Sequence, residues 1–507
     1  MEKMIEEKKK SKISFPSAWL ITFILLIIAA VLTYIIPAGA YSTLIYNKET
    51  KAFTITAPNG EESEAPATQE TLDKFGIKTN LDKLVDGTVW KPIAVSGSYE
   101  RIEPKQQRFN DVVMSLVDGV YETIDIMLFV LVLGGCLGVL TNSGAFAAGV
   151  GALGRVTQGK EYILIVLITF LCALGGTTFG LSEETIAFYP VLIPVFIAAG
   201  YDALVCIAAI YIGSSIGFMF STVNPFTTVL GSNTAGIDFI SGIYWRLGAL
   251  VLGVIFTTFY IMRYAKKIKA DPTKSMVYED RHKIATAFEQ KHEVQPLKPR
   301  FSIALIVFLT CFVVMVYGVI NLEWLFGEMT AVFLVGGIII GIVLGLPEKV
   351  FFEGFTNGAS DMVGVGLLIG FSRSINILLE NGRIQDTILQ GIISRVGGMN
   401  PFIFLMVLLF IYMVLGFFIT SASALAVLTI PIIAPLADAV GLPRELVISA
   451  YVYGQGIIGI VSPTSMGLIT CEMVKVPYVK YVKFQMPLLG ALTVLSAVML
   501  LLQAMIG

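Results

Sequence analysis

The sequence predicts an all-α polytopic membrane protein built from two inverted repeats. Each repeat carries a re-entrant hairpin and a Pro-broken helix, giving about nine transmembrane helices plus two hairpins. Three observations lead there. Of 507 residues, 55% are hydrophobic and 14% charged, against about 25% charged in soluble globular proteins. Runs such as Trp19–Ile36, Phe301–Ile320 and Ala331–Leu346 approach the roughly 20 apolar residues that cross a bilayer. Finally, one pattern occurs twice. Leu174, Gly175, Ser182, Pro190, Pro194 and Gly200 reappear 241 positions later as Leu415, Gly416, Ser423, Pro431, Pro435 and Gly441. Gly151, Arg155, Val156 and Ile163 return 240 positions later as Gly391, Arg395, Val396 and Ile403. Weakly similar halves in an apolar chain place a binding site where the halves meet, near mid-membrane.

Residues 1–40 are read as a cytoplasmic N-terminus and a first transmembrane helix. The apolar run is too long and too late for a secretory signal, and no small-residue cleavage site follows it. Lys3, Lys8, Lys9, Lys10 and Lys12 precede it, and the segment Arg263–Arg300 holds ten Lys or Arg against five acids. The positive-inside rule puts both in the cytoplasm, with Lys475, Lys480 and Lys483. Residues 41–110 are a polar extracytoplasmic insertion whose Asn59-Gly60 and Asp86-Gly87 pairs signal turns. A small cap with some strand is expected. Repeat 1 covers 111–265, a basic cytoplasmic loop 266–300, two linking helices 301–350, and repeat 2 351–507.

Within each repeat the same elements follow in order. A spanning helix (about 112–140; about 359–379) comes first, then a short amphipathic stretch ending in the Arg-Val pair. An apolar–polar–apolar segment follows, Tyr162–Ala199 or Pro401–Val440. Its centre is small and polar: Thr177, Thr178, Ser182, Glu183 and Glu184 in one copy, Thr420, Ser421 and Ser423 in the other. Each arm is short for a full span, so it reads as a hairpin with its tip at mid-depth. Polar backbone there is tolerated only where it is buried or lines a cavity. Next comes a helix interrupted by proline, at Asn224, Pro225 and Thr227 in repeat 1 and at Ser462, Pro463, Thr464 and Ser465 in repeat 2. Proline removes a backbone hydrogen bond, and the half-helix that restarts aims its positive end at the membrane centre.

Tips and breaks together offer unpaired N–H groups, half-helix ends and hydroxyls, a receptor for a carboxylate. Broken-helix carbonyls are also groups that hold Na⁺. The competing reading is that Ser and Thr only glue helices together in lipid. Glu183 and Glu184 are the sharpest pair, because their counterparts are Ala424 and Leu425 and the fold itself does not demand acids. An ionisable residue at that depth costs about 2.5–3.5 kcal/mol on insertion scales. It would pair with a cationic group of the substrate or carry a coupling proton, unless the tip lies nearer the surface and both are solvated. Arg373 either binds a substrate carboxylate or pairs with a glutamate, or it snorkels or pairs with a nearby helix end. The five cysteines lack metal or redox spacing, and both histidines, His282 and His292, sit in the cytoplasmic loop. Gly154–Lys160 mimics a phosphate loop, but Glu161 stands where magnesium needs Ser or Thr. No cofactor is expected beyond a coupling Na⁺ or H⁺, and no nucleic-acid partner.

Six motifs in order carry a family resemblance: Ile36-Pro37-Ala38-Gly39, Phe179-Gly180-Leu181-Ser182-Glu183-Glu184-Thr185, Asn224-Pro225-Phe226, Thr420-Ser421-Ala422-Ser423, Pro431-Ile432-Ile433-Ala434-Pro435 and Ser462-Pro463-Thr464-Ser465. Together they resemble the C4-dicarboxylate anaerobic carrier family, nearest to its YfcC-type branch with arginine/ornithine-antiporter-like members. The resemblance implies membership of the wider ion-transporter superfamily, with paired hairpins, an elevator-type mechanism and frequent homodimers. The expected function is secondary transport of a small carboxylate or amino-acid substrate across the cytoplasmic membrane, with basic amino-acid exchange first. A Na⁺- or H⁺-coupled C4-dicarboxylate carrier is the alternative. An enzyme is not expected.

Overall fold

The computed structural model describes residues 17–156, 159–288, 296–322, 324–394 and 399–506, with side chains for all of these but 153–156. The N-terminal lysines before Ser17, the Arg155 side chain, Arg395-Val396 and His292 lie outside the described residues.

Helix α1 (Ala18–Ile35) starts where Ser17 Oγ accepts the Leu20 N–H at 3.2 Å. The insertion expected to hold some strand contains β1 (Gly39–Ala40), β2 (Thr43–Asn47), β3 (Ala52–Thr56), β4 (Glu62–Pro66), α2 (Gln69–Lys74), α3 (Leu81–Val85), β5 (Ile93–Ala94) and β6 (Glu100–Arg101). An antiparallel sheet runs β4-β3-β2-β5, and β1 pairs separately with β6. Its core of Leu44, Phe53, Leu72, Ile77, Leu84, Val89, Ile93 and Val95 is closed by Leu230 and Val427 from the helical body.

The first half of the body continues with α4 (Phe109–Glu122), α5 (Ile124–Asn142), α6 (Ala145–Val156), α7 (Tyr162–Thr178), α8 (Tyr189–Ala198), α9 (Ala203–Met219), α10 (Leu230–Ala235) and α11 (Ile243–Ala270). After α12 (Arg281–Ala287), α13 (Pro299–Leu322) and α14 (Phe326–Leu344), the second half brings α15 (Glu348–Asn381), α16 (Gln385–Ile393), α17 (Pro401–Phe418), α18 (Ala422–Ala439), α19 (Arg444–Val461), α20 (Met466–Val474) and α21 (Tyr478–Ile506). Among the described residues ten helical segments are long and apolar enough to cross a bilayer, counting α19 and α20 as one. Large apolar side chains on α1, α11, α13 and α21, such as Ile27, Phe259, Val313 and Val494, are exposed, as lipid contact requires.

Two expectations change. The helix expected over about 112–140 is broken at Thr123, whereas its counterpart α15 runs unbroken for 34 residues. Thr123 and Ile124 are β-branched, and Asp125 Oδ1 takes the Ile126 N–H at 2.8 Å, so the chain has a local alternative to the helical bond. Hairpin arms short for a full span are the other expectation, yet α17 and α18 both count among the ten segments long enough to cross. Both arms of the second, α17 and α18, have 18 residues, while α8 has only 10.

Glycines let α5 and α15 cross with backbones touching. A Cβ on Gly134 would sit 2.6 Å from the Gly358 carbonyl oxygen, and one on Gly138 would overlap that of Gly354. Such small-residue crossings replace hydrophobic driving force inside a bilayer. The insertion and the basic loop lie at opposite ends of α11. Near its start, Gly236 abuts Lys78 of the insertion. Near its end, Tyr264 and Ser275 donate to Asp202 at 2.7 and 2.6 Å.

The insertion is fastened to α16. Asp386 Oδ2 accepts the Tyr41 N–H at 2.9 Å, Tyr41 Oη donates to Gln390 at 2.7 Å, and Tyr99 Oη meets Thr387 at 2.8 Å. Burial raises the Asp386 carboxyl to about 6. A raised carboxyl binds its proton better folded than unfolded. Its contribution is therefore full below the ordinary value of 3.8 and lost as pH rises through about 6. Asp386→Asn keeps an acceptor and removes the charge. The variant is expected to unfold at higher temperature than the parent at pH 7.5, by roughly 2–3 kcal/mol of stability. The two should converge near pH 3.5, below the ordinary value of 3.8, in a thermal-melt comparison; equal melting at both pH values would refute this.

Candidate functional site

The first hairpin, α7 to α8, turns through residues 179–182 and a 3-10 segment, Glu183–Phe188. Its tip is bonded to the break between α9 and α10. Thr177 Oγ1 accepts the Thr222 N–H at 2.9 Å and lies 3.0 Å from the Thr222 hydroxyl. Asn224 is fully buried; its Nδ2 donates to the Gly176 carbonyl at 3.1 Å and its Oδ1 accepts the Phe226 N–H at 2.9 Å. The Ser221 hydroxyl lies 3.0 Å from that of Thr227. Thr178 back-bonds to Leu174 O at 2.7 Å. Pro225, exposed, opens the π-helical turn Pro225–Val229 that leads into α10. Of the expected ligands here, Thr177, Asn224 and Thr227 are buried in holding the break to the hairpin. Thr178, Ser182, Glu183 and Glu184 remain partly accessible. Asn224→Ala leaves the buried Gly176 carbonyl without its partner, at about 1–3 kcal/mol, and also frees the Phe226 N–H. It is expected to lower the melting temperature by several degrees and to abolish transport in reconstituted vesicles; wild-type values of both would remove this role.

The second hairpin repeats the plan with different residues. Gln455 Nε2 donates to the Thr420 carbonyl at 3.3 Å, and Tyr451 Oη to the Ala422 carbonyl at 2.8 Å. Ser421 Oγ caps α18 by accepting the Ala424 N–H at 3.4 Å and lies 3.4 Å from Ser423 Oγ. At the break before α20, Ser462 and Thr464 hydroxyls are 2.6 Å apart, flanking Pro463. Ser465 Oγ lies 2.6 Å from the carbonyls of both Gly459 and Ser462. Ser465 thus gives its hydroxyl to carbonyls and leaves the first N–H groups of α20 without a side-chain cap. Thr420, Ser421, Ser423, Pro463, Thr464 and Ser465 are all partly accessible; Ser462 is buried.

Sequence reasoning missed Gln455 and Ser214. Ser214 Oγ donates to the Leu181 carbonyl at the first tip, the part Gln455 plays at the second. They are related by the same 241-residue displacement, which was the available signal.

The two halves interlock. Tyr211 Oη donates to Gly459 O at 2.9 Å and lies 3.2 Å from Ser465 Oγ. Phe220 meets Tyr453 edge to face at 5.0 Å. Short α10 leans on α18, where a Cβ on Gly231 would be 3.0 Å from Ile430. Short α20 touches α8 through Thr470 and Tyr189, 3.4 Å apart. Each restarted half-helix therefore packs on the other half's hairpin.

One ion pair sits beside the Thr123 break. Arg373, on α15, pairs with Glu122 at 2.7 Å, just before the Thr123 break. The structure thus shows a glutamate pairing for Arg373, one of the alternatives for it. Just past the break, Asp125 sits in the first turn of α5, which packs against the 3-10 segment that carries Glu183. Glu184 turns back, its Oε2 accepting the Ser182 N–H at 3.0 Å, so it caps its own hairpin. Among the described residues no group of three or more His, Cys, Asp or Glu side chains is arranged to hold a metal ion.

These features define a multi-pass membrane protein whose broken helices bring polar backbone and hydroxyls inside an apolar bundle, the build of a secondary transporter. The chain belongs to the C4-dicarboxylate anaerobic carrier family, DcuC, which matches residues 15–505. It is 43% identical to an uncharacterized protein of Haemophilus influenzae over 99% of both chains. It is 29% identical, over 100% of both chains, to the Escherichia coli protein named "Putative basic amino acid antiporter YfcC". Among solved structures, the YdaH transporter of Alcanivorax borkumensis aligns with a TM-score of 0.37 at 15% identity, covering 95% of this chain and 98% of its own. MtrF of Neisseria gonorrhoeae, described among antimetabolite efflux pumps, aligns at 0.38 and 14% identity, covering 97% and 96%.

Proposed function

We propose that this protein exchanges small carboxylate-bearing metabolites across the cytoplasmic membrane, and that its substrates are basic amino acids of the arginine and ornithine type. The observation that carries the reading is the balance of charge at the first hairpin tip. Glu183 and Glu184 open the 3-10 segment, Asp125 lies in the first turn of the helix packed against it, and Arg373 is matched by Glu122. A substrate with a cationic end suits such a surface, and its α-carboxylate suits the uncapped start of α20. The name of the Escherichia coli relative supports the same choice. The two hairpins and interlocked half-helices support alternating access around this centre, with repeats of opposite orientation.

The second reading, a C4-dicarboxylate carrier driven by Na⁺ or H⁺, draws support from the family description. Counterflow separates the two. Proteoliposomes loaded with unlabelled ornithine are expected to accumulate labelled arginine, with no competition from succinate. Vesicles that ignore arginine but exchange a dicarboxylate would overturn the first reading in favour of the second.

A further inference from the structure

Helix α11 runs from the insertion's side of the molecule to the basic loop. It has 28 residues, a length of roughly 42 Å. The hydrocarbon core of a bilayer takes up about 20 residues of a helix, so the turns that follow Met262 stand at headgroup level. Over the core its outward face is apolar. Leu252, Ile255 and Phe259, at spacings of three and four residues, are 42, 57 and 64% exposed. The same spacing carries the stripe on into Arg263 and Lys266, with Lys267 beside them, and all three are exposed. The opposite face, with Thr257, Ile261 and Ile268, is buried in the body. Whatever lies against Phe259 therefore meets these cations one turn later.

Among the described residues no carboxylate pairs with Arg263, Lys266 or Lys267, whereas Lys269 on the same turn pairs with Glu161 at 2.8 Å. The nearby acids are engaged elsewhere. Asp271 accepts from Thr273 and pairs with Lys274, and Asp280 pairs with Lys480 at 2.7 Å. A further exposed cation, Lys483 on α21, stands at the same level, since the next residue, Phe484, packs its ring on Tyr260 and Tyr264 at 5.3 and 4.8 Å. Lys483 continues the exposed face of Met486 and Val494. Two lipid-facing helices thus end side by side in positive charge. A neutral lipid leaves these cations unmatched, and a soluble anion leaves the phenylalanine uncovered. A phospholipid with an anionic headgroup satisfies both, because its phosphate matches guanidinium and ammonium while its chain lies along the apolar stripe.

We propose that the basic-loop end of α11 is a binding surface for anionic phospholipid headgroups. Arg263, Lys266 and Lys267 hold the phosphates, and Phe259 beds an acyl chain. One turn of helix joins this surface to the first hairpin. Lys269 ties the turn to Glu161, where the hairpin begins, and lies over the ring of Tyr201, just past its end, at 5.5 Å. Bound lipid therefore steadies the turn from which both ends of the hairpin are held. The inference goes beyond the exchange reading and does not depend on it.

The experiment titrates the detergent-solubilised full chain with fluorescent phosphatidylglycerol, and with phosphatidylcholine carrying the same chains. Phosphatidylglycerol is expected to bind at least about tenfold more tightly, and to raise the melting temperature where phosphatidylcholine does not. Arg263→Gln, Lys266→Gln and Lys267→Gln together should weaken phosphatidylglycerol by about fivefold per charge, on the order of a hundredfold in all, and leave phosphatidylcholine unchanged. Arg263→Lys should bind like the parent. Lys48→Gln, Lys51→Gln and Lys74→Gln together remove as many exposed charges from the insertion. They should change the affinity by less than about twofold, which separates a surface site from bulk charge. If the triple variant at α11 fails to fold, Lys266→Gln alone is expected to bind about fivefold more weakly. Equal binding of the two lipids by the parent, or undiminished phosphatidylglycerol binding by the variants at α11, overturns the proposal. So does competition by inorganic phosphate as strong as by lipid, which would make this a site for a soluble anion. A triple variant that loses a dimer and keeps its lipid would assign the face to a second copy and overturn it too. Each of these results leaves the exchange reading to its own counterflow test.

Discussion

Glu183→Gln is expected to lower arginine exchange about a hundredfold in kcat/KM, the loss of one desolvated charge contact of roughly 2–3 kcal/mol. Glu184→Gln is expected to cost far less. The two side chains are neighbours in sequence but occupy different places. Glu184 accepts its own hairpin's Ser182 N–H at 3.0 Å, and glutamine keeps an oxygen for that bond. Glu183 opens the 3-10 segment Glu183–Phe188, which packs against α5. Removing one of two adjacent carboxylates should leave the melting temperature unchanged or raised, so lost exchange cannot be charged to misfolding. A dicarboxylate, if carried, should be exchanged by Glu183→Gln at least as well as by the parent. Equal arginine exchange by parent and Glu183→Gln would show that this carboxylate does not meet the substrate.

The largest effect on stability is expected from Gly138→Val. A Cβ there overlaps the Gly354 carbonyl oxygen, and that of Gly358 overlaps the Gly134 carbonyl in turn. Neither neighbour is a flexible side chain that can swing away. The helices must separate along a crossing that links the two halves of the chain. Overpacking alone costs typically 1–3 kcal/mol, and lost contact along the seam adds to it. Gly138→Val should therefore shift the protein from a single detergent-solubilised peak to aggregate, or lower its melting temperature by about 10 °C. Gly364→Ala, on the partner helix α15, is the control, because a Cβ there has open space. Similar behaviour of the two variants would mean the crossing tolerates separation.

What the sequence made legible follows from chemistry that acts locally. Proline at 225 and 463 announces a break whatever surrounds it, and the hairpin arms show as apolar runs interrupted by hydroxyls. The break at Thr123 was not legible, because it uses no proline or glycine and depends on Asp125 turning to a backbone N–H. Arg373 stood out as a lone cation, but its partner Glu122 is 251 residues away, and no periodicity links them. The same distance problem hid Trp90, whose partner Phe226 is on an element that reads simply as a broken helix. Roles of the hydroxyls were legible only as a set. Thr177 and Asn224 proved to be braces and Ser465 a backbone plug, a division decided by burial and not by residue type.

The exchange of half-helices between the two halves also has a consequence for how the chain is made. Tyr189 waits for Thr470, 281 residues downstream, and the Gly231 face of α10 waits for Ile430. At roughly 5–20 residues per second, the ribosome takes on the order of 15–55 s to supply the first of these partners. Throughout that interval α8 and α10 stand in lipid without the second-half helices they pack against, although the first tip and its break already hold each other. The first half is thus an unfinished client during synthesis. Chains stopped after α11 should be cleared by membrane proteases, and supplying the second half as a separate chain should rescue them.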